Sequence, residues 1–318
     1  MSEVFGEMVS QKLNAKHEFY ELQRSELTSD KSLIFEQSDG FSKALTDGFF
    51  HVKIPTGINL TAGDRFARNF YKEKEATLDN QFNSYRGFYI YTPDKFDAPH
   101  EGYYLRDLDQ TEQFFLEKKY WSKIYPKDLV DLAIQLDVFA INILKNVMGF
   151  VGIPETIWDK ATGNCIQGMG THHLTFNHFR PEINARGLNV HKDSGWVTVL
   201  RSISPGLEAY IDNQWRSILP VDGYFIVNFG CAMEILTAKL NRPVSAVIHR
   251  VVKQSKNSEG QEDRYSYALF TDNSLDEGIC SGLYEYSFDD GLKLKMSFKK
   301  FLDEILRATY DKETVGLY

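Results

Sequence analysis

The chain reads as a mainly β protein with helices, an antiparallel sandwich or barrel in its second half carried by one long helix before it. Two patterns predict this. From Pro126 onward Leu129, Leu132, Leu136, Phe139, Ile143 and Val147 recur at three or four residues, the spacing of one helical face. After residue 170 the chain becomes short runs rich in Val, Ile, Tyr, Phe and Thr, the texture of many strands joined by turns. No repeat and no Pro- or Gly-rich linker divides the 318 residues, so a single domain is expected.

Taken in order, Met1–Met8 carries acids where an export signal needs a basic region and an apolar run. Residues 45–54 read as a helix that stops at Gly48 and feeds a strand. Residues 59–76 read as a polar helix with Phe66, Phe70 and Tyr71 on one side. Pro126 stands where helices start, and Gly149, Gly152 and Pro154 stand where the long one stops. Residues 129–153 hold Asp131, Gln135, Asp137, Asn142 and Lys145, too polar a set for a bilayer span. Strands are predicted at 174–180, 187–191, 196–203, 207–211, 215–219, 223–229, 244–252 and 264–271. Asp212 and Asn213, which tolerate positive φ, mark a tight hairpin between two of them. Ser297 is placed to cap a helix whose Phe298, Phe301, Leu302 and Ile305 face inward.

Composition narrows the function. With 36 basic against 44 acidic residues the net charge is −8, the reverse of a general nucleic-acid or anionic-membrane binder. Cys165, Cys231 and Cys280 are odd in number, far apart and without a C-x-x-C pair, which argues against a disulfide framework and a structural zinc site and fits a reducing, cytoplasmic setting.

Three constellations carry chemistry. In His191-Lys192-Asp193, residues two apart on a strand point to one side, so an imidazole and a carboxylate converge. His249, in a later β-like run, can return beside them; two neutral imidazoles and a carboxylate on one face suit a divalent metal with its opposite face open, the facial triad of non-haem iron. In Arg264-Tyr265-Ser266, a guanidinium and a hydroxyl share a strand face and together can hold one end of a dicarboxylate.

These residues, with Gly195, Gly206-Leu207-Glu208-Ala209, Asn213-x-Trp215, Val227-Asn228-x-Gly230 and His249-Arg250-Val251, resemble the non-haem Fe(II), 2-oxoglutarate-dependent oxygenases of the isopenicillin N synthase-like family. Asp47-Gly48-Phe49-Phe50-x-Val52 and Asn177-His178-Phe179-Arg180-Pro181 extend the likeness. The resemblance implies a distorted double-stranded β-helix, or jelly roll, flanked by helices. It implies one oxygenase domain: an N-terminal α/β region over 1–110, helical support over 111–160, the catalytic core over 161–275 and a C-terminal helix over 276–318.

His191, Asp193 and His249 are then the expected Fe(II) ligands, with Arg264, Ser266 and Asn177 holding 2-oxoglutarate. O₂ is the co-oxidant, and ascorbate is expected to stimulate. The expected reaction begins with hydrogen abstraction from an unactivated C–H bond of a small molecule and ends in hydroxylation, desaturation or ring closure, in specialised metabolism. Arg201, assigned the strand parity of His191 and Asp193, suggests a carboxylate-bearing substrate, with Arg180 and Phe179 as further contacts. A monomer without nucleic-acid or membrane partners is expected. The competing readings are an iron oxidase of the same fold without the cosubstrate, a cupin-like zinc hydrolase or isomerase, and a non-enzymatic binding module. Cys231, where the family commonly has Asp, has no assigned role.

Overall fold

A computed structural model describes residues 18–77, 79–98, 101–255 and 262–310. Met1–Met8, His17 and His100 therefore lie outside the described residues. The strands are β1 (Arg24–Leu27), β2 (Leu33–Phe35), β3 (Phe49–Lys53), β4 (Gly102–Leu105), β5 (Thr111–Glu117), β6 (His172–Phe179), β7 (Leu188–His191), β8 (Val197–Ser202), β9 (Leu207–Ile211), β10 (Gln214–Ile218), β11 (Tyr224–Phe229), β12 (His249–Val251), β13 (Tyr265–Thr271), β14 (Leu283–Ser287) and β15 (Gly291–Met296).

Strands β6 to β13 cross between two sheets as a jelly roll requires, with β9 and β10 a hairpin inside one of them. Strands β6, β8, β11 and β13 lie in a sheet ordered β2-β1-β3-β11-β8-β13-β6-β5-β4, while β7, β9, β10 and β12 form the facing sheet β10-β9-β12-β7. The two-residue hairpin forms as expected, with Gln214 opposite Ile211 and both Asp212 (φ 51°) and Asn213 (φ 59°) left-handed. The fold class read from the sequence is therefore present.

Because side chains alternate across a strand, each strand of the large sheet serves two cores. Outward-pointing Leu174 and Phe176, Val197 and Val199, Phe225 and Val227, and Tyr267 and Leu269 pack with the helices in the larger hydrophobic cluster. Inward-pointing Leu200 and Ile226 join Leu207, Ala209, Ile218 and Phe49 in a smaller cluster. The long helix, Lys127–Phe150, begins after Pro126 and buries Leu129, Leu132, Leu136, Phe139, Ile143 and Val147. It is long and apolar enough by length and composition to cross a membrane, contrary to the sequence reading. Its apolar stripe is instead the layer packed against β8 and β13.

Elsewhere the structure corrects the outline. The polar helix expected over 59–76 is confined to Thr61–Ala67, followed by turns. Residues 111–117, expected among the supporting helices, form β5, paired to β6 from Thr111↔Phe179 to Glu117↔His173. The run 244–252 is strand only at His249–Val251. A hairpin of β14 and β15 precedes the C-terminal helix Phe298–Tyr310, whose Ser297 hydroxyl accepts the Lys300 N–H.

Candidate active site

The site lies between the two sheets at the end of β7, where the chain crosses into β8. Strand β7 ends at His191, and β12 lays His249 directly opposite it. Asp193 belongs to the turn that follows, not to the strand, so the His191-Asp193 convergence comes from a bend rather than from strand alternation. Two glycines permit the bend. A Cβ at Gly195 would sit 2.2 Å from the Thr271 carbonyl oxygen, and one at Gly230 would sit 2.3 Å from the Gly195 carbonyl oxygen, so two backbones touch where no side chain fits.

Asp193 Oδ1 lies 3.6 Å from His191 Nε2 and 3.7 Å from His249 Nε2, with the imidazole centroids 4.2 Å apart. Donors at roughly 2.1 Å around one first-row divalent ion stand about 3.0–3.4 Å from each other, so a slight closure brings all three onto one ion. The free edges are fixed in advance. His191 Nδ1 donates to the Asn189 carbonyl at 2.8 Å and His249 Nδ1 to the Val247 carbonyl at 3.2 Å, which turns both Nε2 lone pairs toward Asp193.

The other carboxylate oxygen is held just as firmly. Thr198 Oγ1 and Asn228 Nδ2 each donate to Asp193 Oδ2 at 2.7 Å, leaving Oδ1 to face the histidines. Burial opposes ionisation of Asp193, but His249, His191 and these two hydrogen bonds outweigh it and hold the carboxyl below its usual range. Burial, then the neighbouring His191, pushes the His249 imidazole down to about 4, so it stands neutral with a lone pair available. Thr198 and Asn228 had no role from the sequence. The signal that finds them is inward parity on β8 and β11, which only the sheet pairing fixes.

Arg264 and its neighbours form the other end of the cleft. Its Nε donates to the Pro205 carbonyl at 3.0 Å, Nη2 to Ser202 Oγ at 3.2 Å, and its Cζ lies 4.5 Å over the Phe179 ring. Nη1 is buried without a partner among the described residues, and burial lowers the guanidinium to about 10. A buried cation with an open N–H calls for an anion. Ser266 pairs in register with Asn177 and Ser202, and the Asn177 amide oxygen accepts from Gln113 Nε2 at 2.6 Å. Arg264, Ser266, Asn177 and the three convergent donors thus share the inner side of the jelly roll.

The three expected substrate residues do not line an open pocket. The bend at 194–196 breaks the assumed parity, so Arg201 faces the helices and pairs with Asp64 at 3.3 Å. Arg180 gives its Nε to the Gln110 carbonyl and Nη2 to the carbonyls of Arg106, Asp109 and Thr111, and so braces loops. Phe179 is 1% exposed beneath Arg264. The motive for a carboxylate-bearing substrate goes with them. His172 lies outside the donor set and faces the helices with Asp137 and with Cys165 Sγ at 3.3 Å. Cys231 is buried, and burial pushes its thiol up to about 12.

Comparison with known proteins gives a family match over part of the chain and a similar fold over most of it. Residues 170–273 match the 2OG-Fe(II) oxygenase superfamily. The chain is similar to the chloroplastic 2-oxoglutarate-dependent dioxygenase 21 of Oryza sativa subsp. japonica, 25% identical over 58% of this chain and 55% of that protein. It is also similar to codeine O-demethylase of Papaver somniferum, 32% identical over 42% and 41% of the two. The chain thus spans about half the length of the curated relatives it matches. In fold it is similar to the crystal structure of JOX2 in complex with 2OG, Fe and JA, with a TM-score of 0.65 and 22% identity over 95% of this chain and 92% of that one. The span that matches the 2OG-Fe(II) oxygenase superfamily, residues 170–273, holds the His-Asp-His cluster, Arg264, Ser266 and Asn177.

Proposed function

We propose that this chain is an Fe(II)- and 2-oxoglutarate-dependent oxygenase acting on a small organic molecule, with His191, Asp193 and His249 holding iron and Arg264, Ser266 and Asn177 holding the cosubstrate. The observation that carries the reading is Arg264 Nη1, buried and without a partner among the described residues, on the same inner face as three preset metal donors. A cosubstrate with a carboxylate at each end answers both features, one end at the guanidinium and the other at the metal. Bound iron with 2-oxoglutarate and O₂ supplies the oxidising power for hydrogen abstraction.

The protein's own residues do the placing. Thr198 and Asn228 fix which Asp193 oxygen faces the ion. Gln113, itself receiving the Arg106 Nε–H at 2.9 Å, orients the Asn177 amide. Phe179 and Ser202 keep the guanidinium dry and aimed. Phe49 meets the His249 ring edge-on at 5.5 Å and closes the cleft on the apolar side.

The test is stoichiometric. Succinate formed in step with substrate consumed, dependent on O₂ and ferrous iron, is the expected result. Turnover without succinate would indicate an oxidase of this fold that uses no 2-oxoglutarate, and turnover under argon a hydrolase or isomerase. A monomer in the cytoplasm completes the proposal, checked by sedimentation and by localisation of the tagged chain.

A further inference from the structure

Beyond Asn177, the inner face of β6 continues toward the metal donors with residues the reading above leaves unused. Thr175 is 3% exposed, and its hydroxyl has no hydrogen-bond partner among the described residues. Its neighbours Leu174 and Phe176 belong to the outer core, so Thr175 points inward, between Phe115 on β5 and Ala268 on β13. A buried hydroxyl left unsatisfied is costly, and a polar group on a guest in the cleft would supply the partner.

The surroundings of Thr175 are aromatic and acidic. Phe115 stacks on His173 with centroids 4.1 Å apart, and His173 Nε2 meets Glu101 Oε1 at 3.1 Å. Glu101, Glu117 and His173 bring their donor atoms within 4.8 Å of one another. They read as a hydrogen-bonded wall rather than a second metal site, because the other Glu101 oxygen already accepts the Glu117 N–H at 2.8 Å and Lys119 pairs with Glu117 from the rim. Asp272 closes the row beside the metal donors, with one oxygen accepting from Ser194 Oγ at 2.9 Å. The cations that would welcome a carboxylate are engaged elsewhere: Arg201 with Asp64, Lys118 with Asp137, Lys192 with Glu234, and Arg180 with backbone carbonyls.

We propose that the Thr175–His173–Asp272 wall receives the prime substrate and selects one that carries a protonated amine on an aromatic or apolar frame, the ammonium meeting Asp272 and a further polar group meeting Thr175. Phe115 supplies a ring face for the frame. This rests on the oxygenase reading, which puts the reacting centre beside Asp193.

The test uses the full chain loaded with Mn(II) and 2-oxoglutarate, and calorimetric titration with two probes of matched shape and opposite charge, 2-phenylethylamine and 3-phenylpropanoate. The 2-oxoglutarate titration comes first, and its failure counts against the oxygenase reading rather than this one. The expected result is amine binding at least about tenfold tighter than the acid, with most of that preference gone in Asp272→Asn and 2-oxoglutarate still bound. Thr175→Val, nearly the same shape, is expected to weaken the amine several-fold, and it carries the test where Asp272→Asn does not fold. Equal or tighter binding of the acid, a preference that survives both substitutions, or no binding of either probe overturns the proposal.

Discussion

Two side chains to which the sequence reading gave no role, Thr198 and Asn228, make the most pointed prediction. Each donates to Asp193 Oδ2 at 2.7 Å inside a dry site, and together they leave Oδ1 as the oxygen that faces His191 and His249. Thr198→Val and Asn228→Leu keep bulk and remove one donor each. The carboxylate then gains freedom to turn, and the remaining Oδ2 lone pairs are under-satisfied. Loss of such a supporting contact costs about 10- to 100-fold in metal affinity, or about 1.4–2.8 kcal/mol at 1.4 kcal/mol per factor of ten.

Because the two bonds are equal in length and share one acceptor atom, the two variants should lose similar amounts, and the double variant should depart from additivity by about 0.5 kcal/mol or more. Mn(II) affinity measured by calorimetry on the metal-free protein reads this directly. The melting temperature in the presence of chelator separates a loosened ligand from a damaged fold. A dissociation constant within threefold of the parent, in a variant that melts normally, would refute the claim that Asp193 is held for the metal by these two donors.

Further outcomes follow from other parts of the molecule. Arg264→Met should weaken 2-oxoglutarate binding at least about 100-fold, since it deletes charge-assisted hydrogen bonds of about 1.5–3 kcal/mol each, while Arg201→Ala should leave it within about twofold; titration of the Mn(II)-loaded protein distinguishes them, and equal effects would show that the wrong arginine has been chosen. Gly230→Ala drives a methyl to 2.3 Å from a backbone oxygen and should cost more than about 2 kcal/mol; an unchanged urea midpoint would contradict the close approach. His51 is 4% exposed, and burial lowers its imidazole to about 4 against 6.5 when unfolded. Its neutral form is fully compatible with the fold above pH 6.5, and stability is lost as pH falls from there through 4, by roughly 3 kcal/mol in total. His51→Gln should flatten the stability profile in that window, and an unaltered slope would count against the assignment.

Much of this site was legible because its chemistry is carried by residue types that rarely cluster by accident. His191, Asp193, His249, Arg264 and Ser266 were all named from spacing, and the helix over 127–150 from its apolar period. What failed was anything that depended on parity across an irregular joint. Asp193 sits in a turn and Val197 restarts the strand, so Arg201, counted as facing inward, faces the helices. For the same reason Thr198 and Asn228 were invisible as partners of Asp193: their meeting is set by the pairing Asn228↔Thr198 between β11 and β8. The strand at 111–117 was hidden by its place immediately before a helix and by Phe114-Phe115-Leu116, an apolar run without polar alternation.

One side chain at the far end of the cleft reaches further than its size suggests. The Gln110 amide donates to the carbonyls of Ile183 and Gln254 and accepts the Gln254 N–H, while its own backbone N–H meets the Arg186 carbonyl at 2.7 Å. Three loops are thereby buttoned together just behind the residue proposed to anchor the cosubstrate. Traffic by that route requires the button to come undone, so on the proposed reading both guests share the doorway on the iron side. A shared doorway imposes a queue: the keto-diacid has to be seated first, and an organic molecule arriving early bars its way, so excess substrate should inhibit competitively against 2-oxoglutarate.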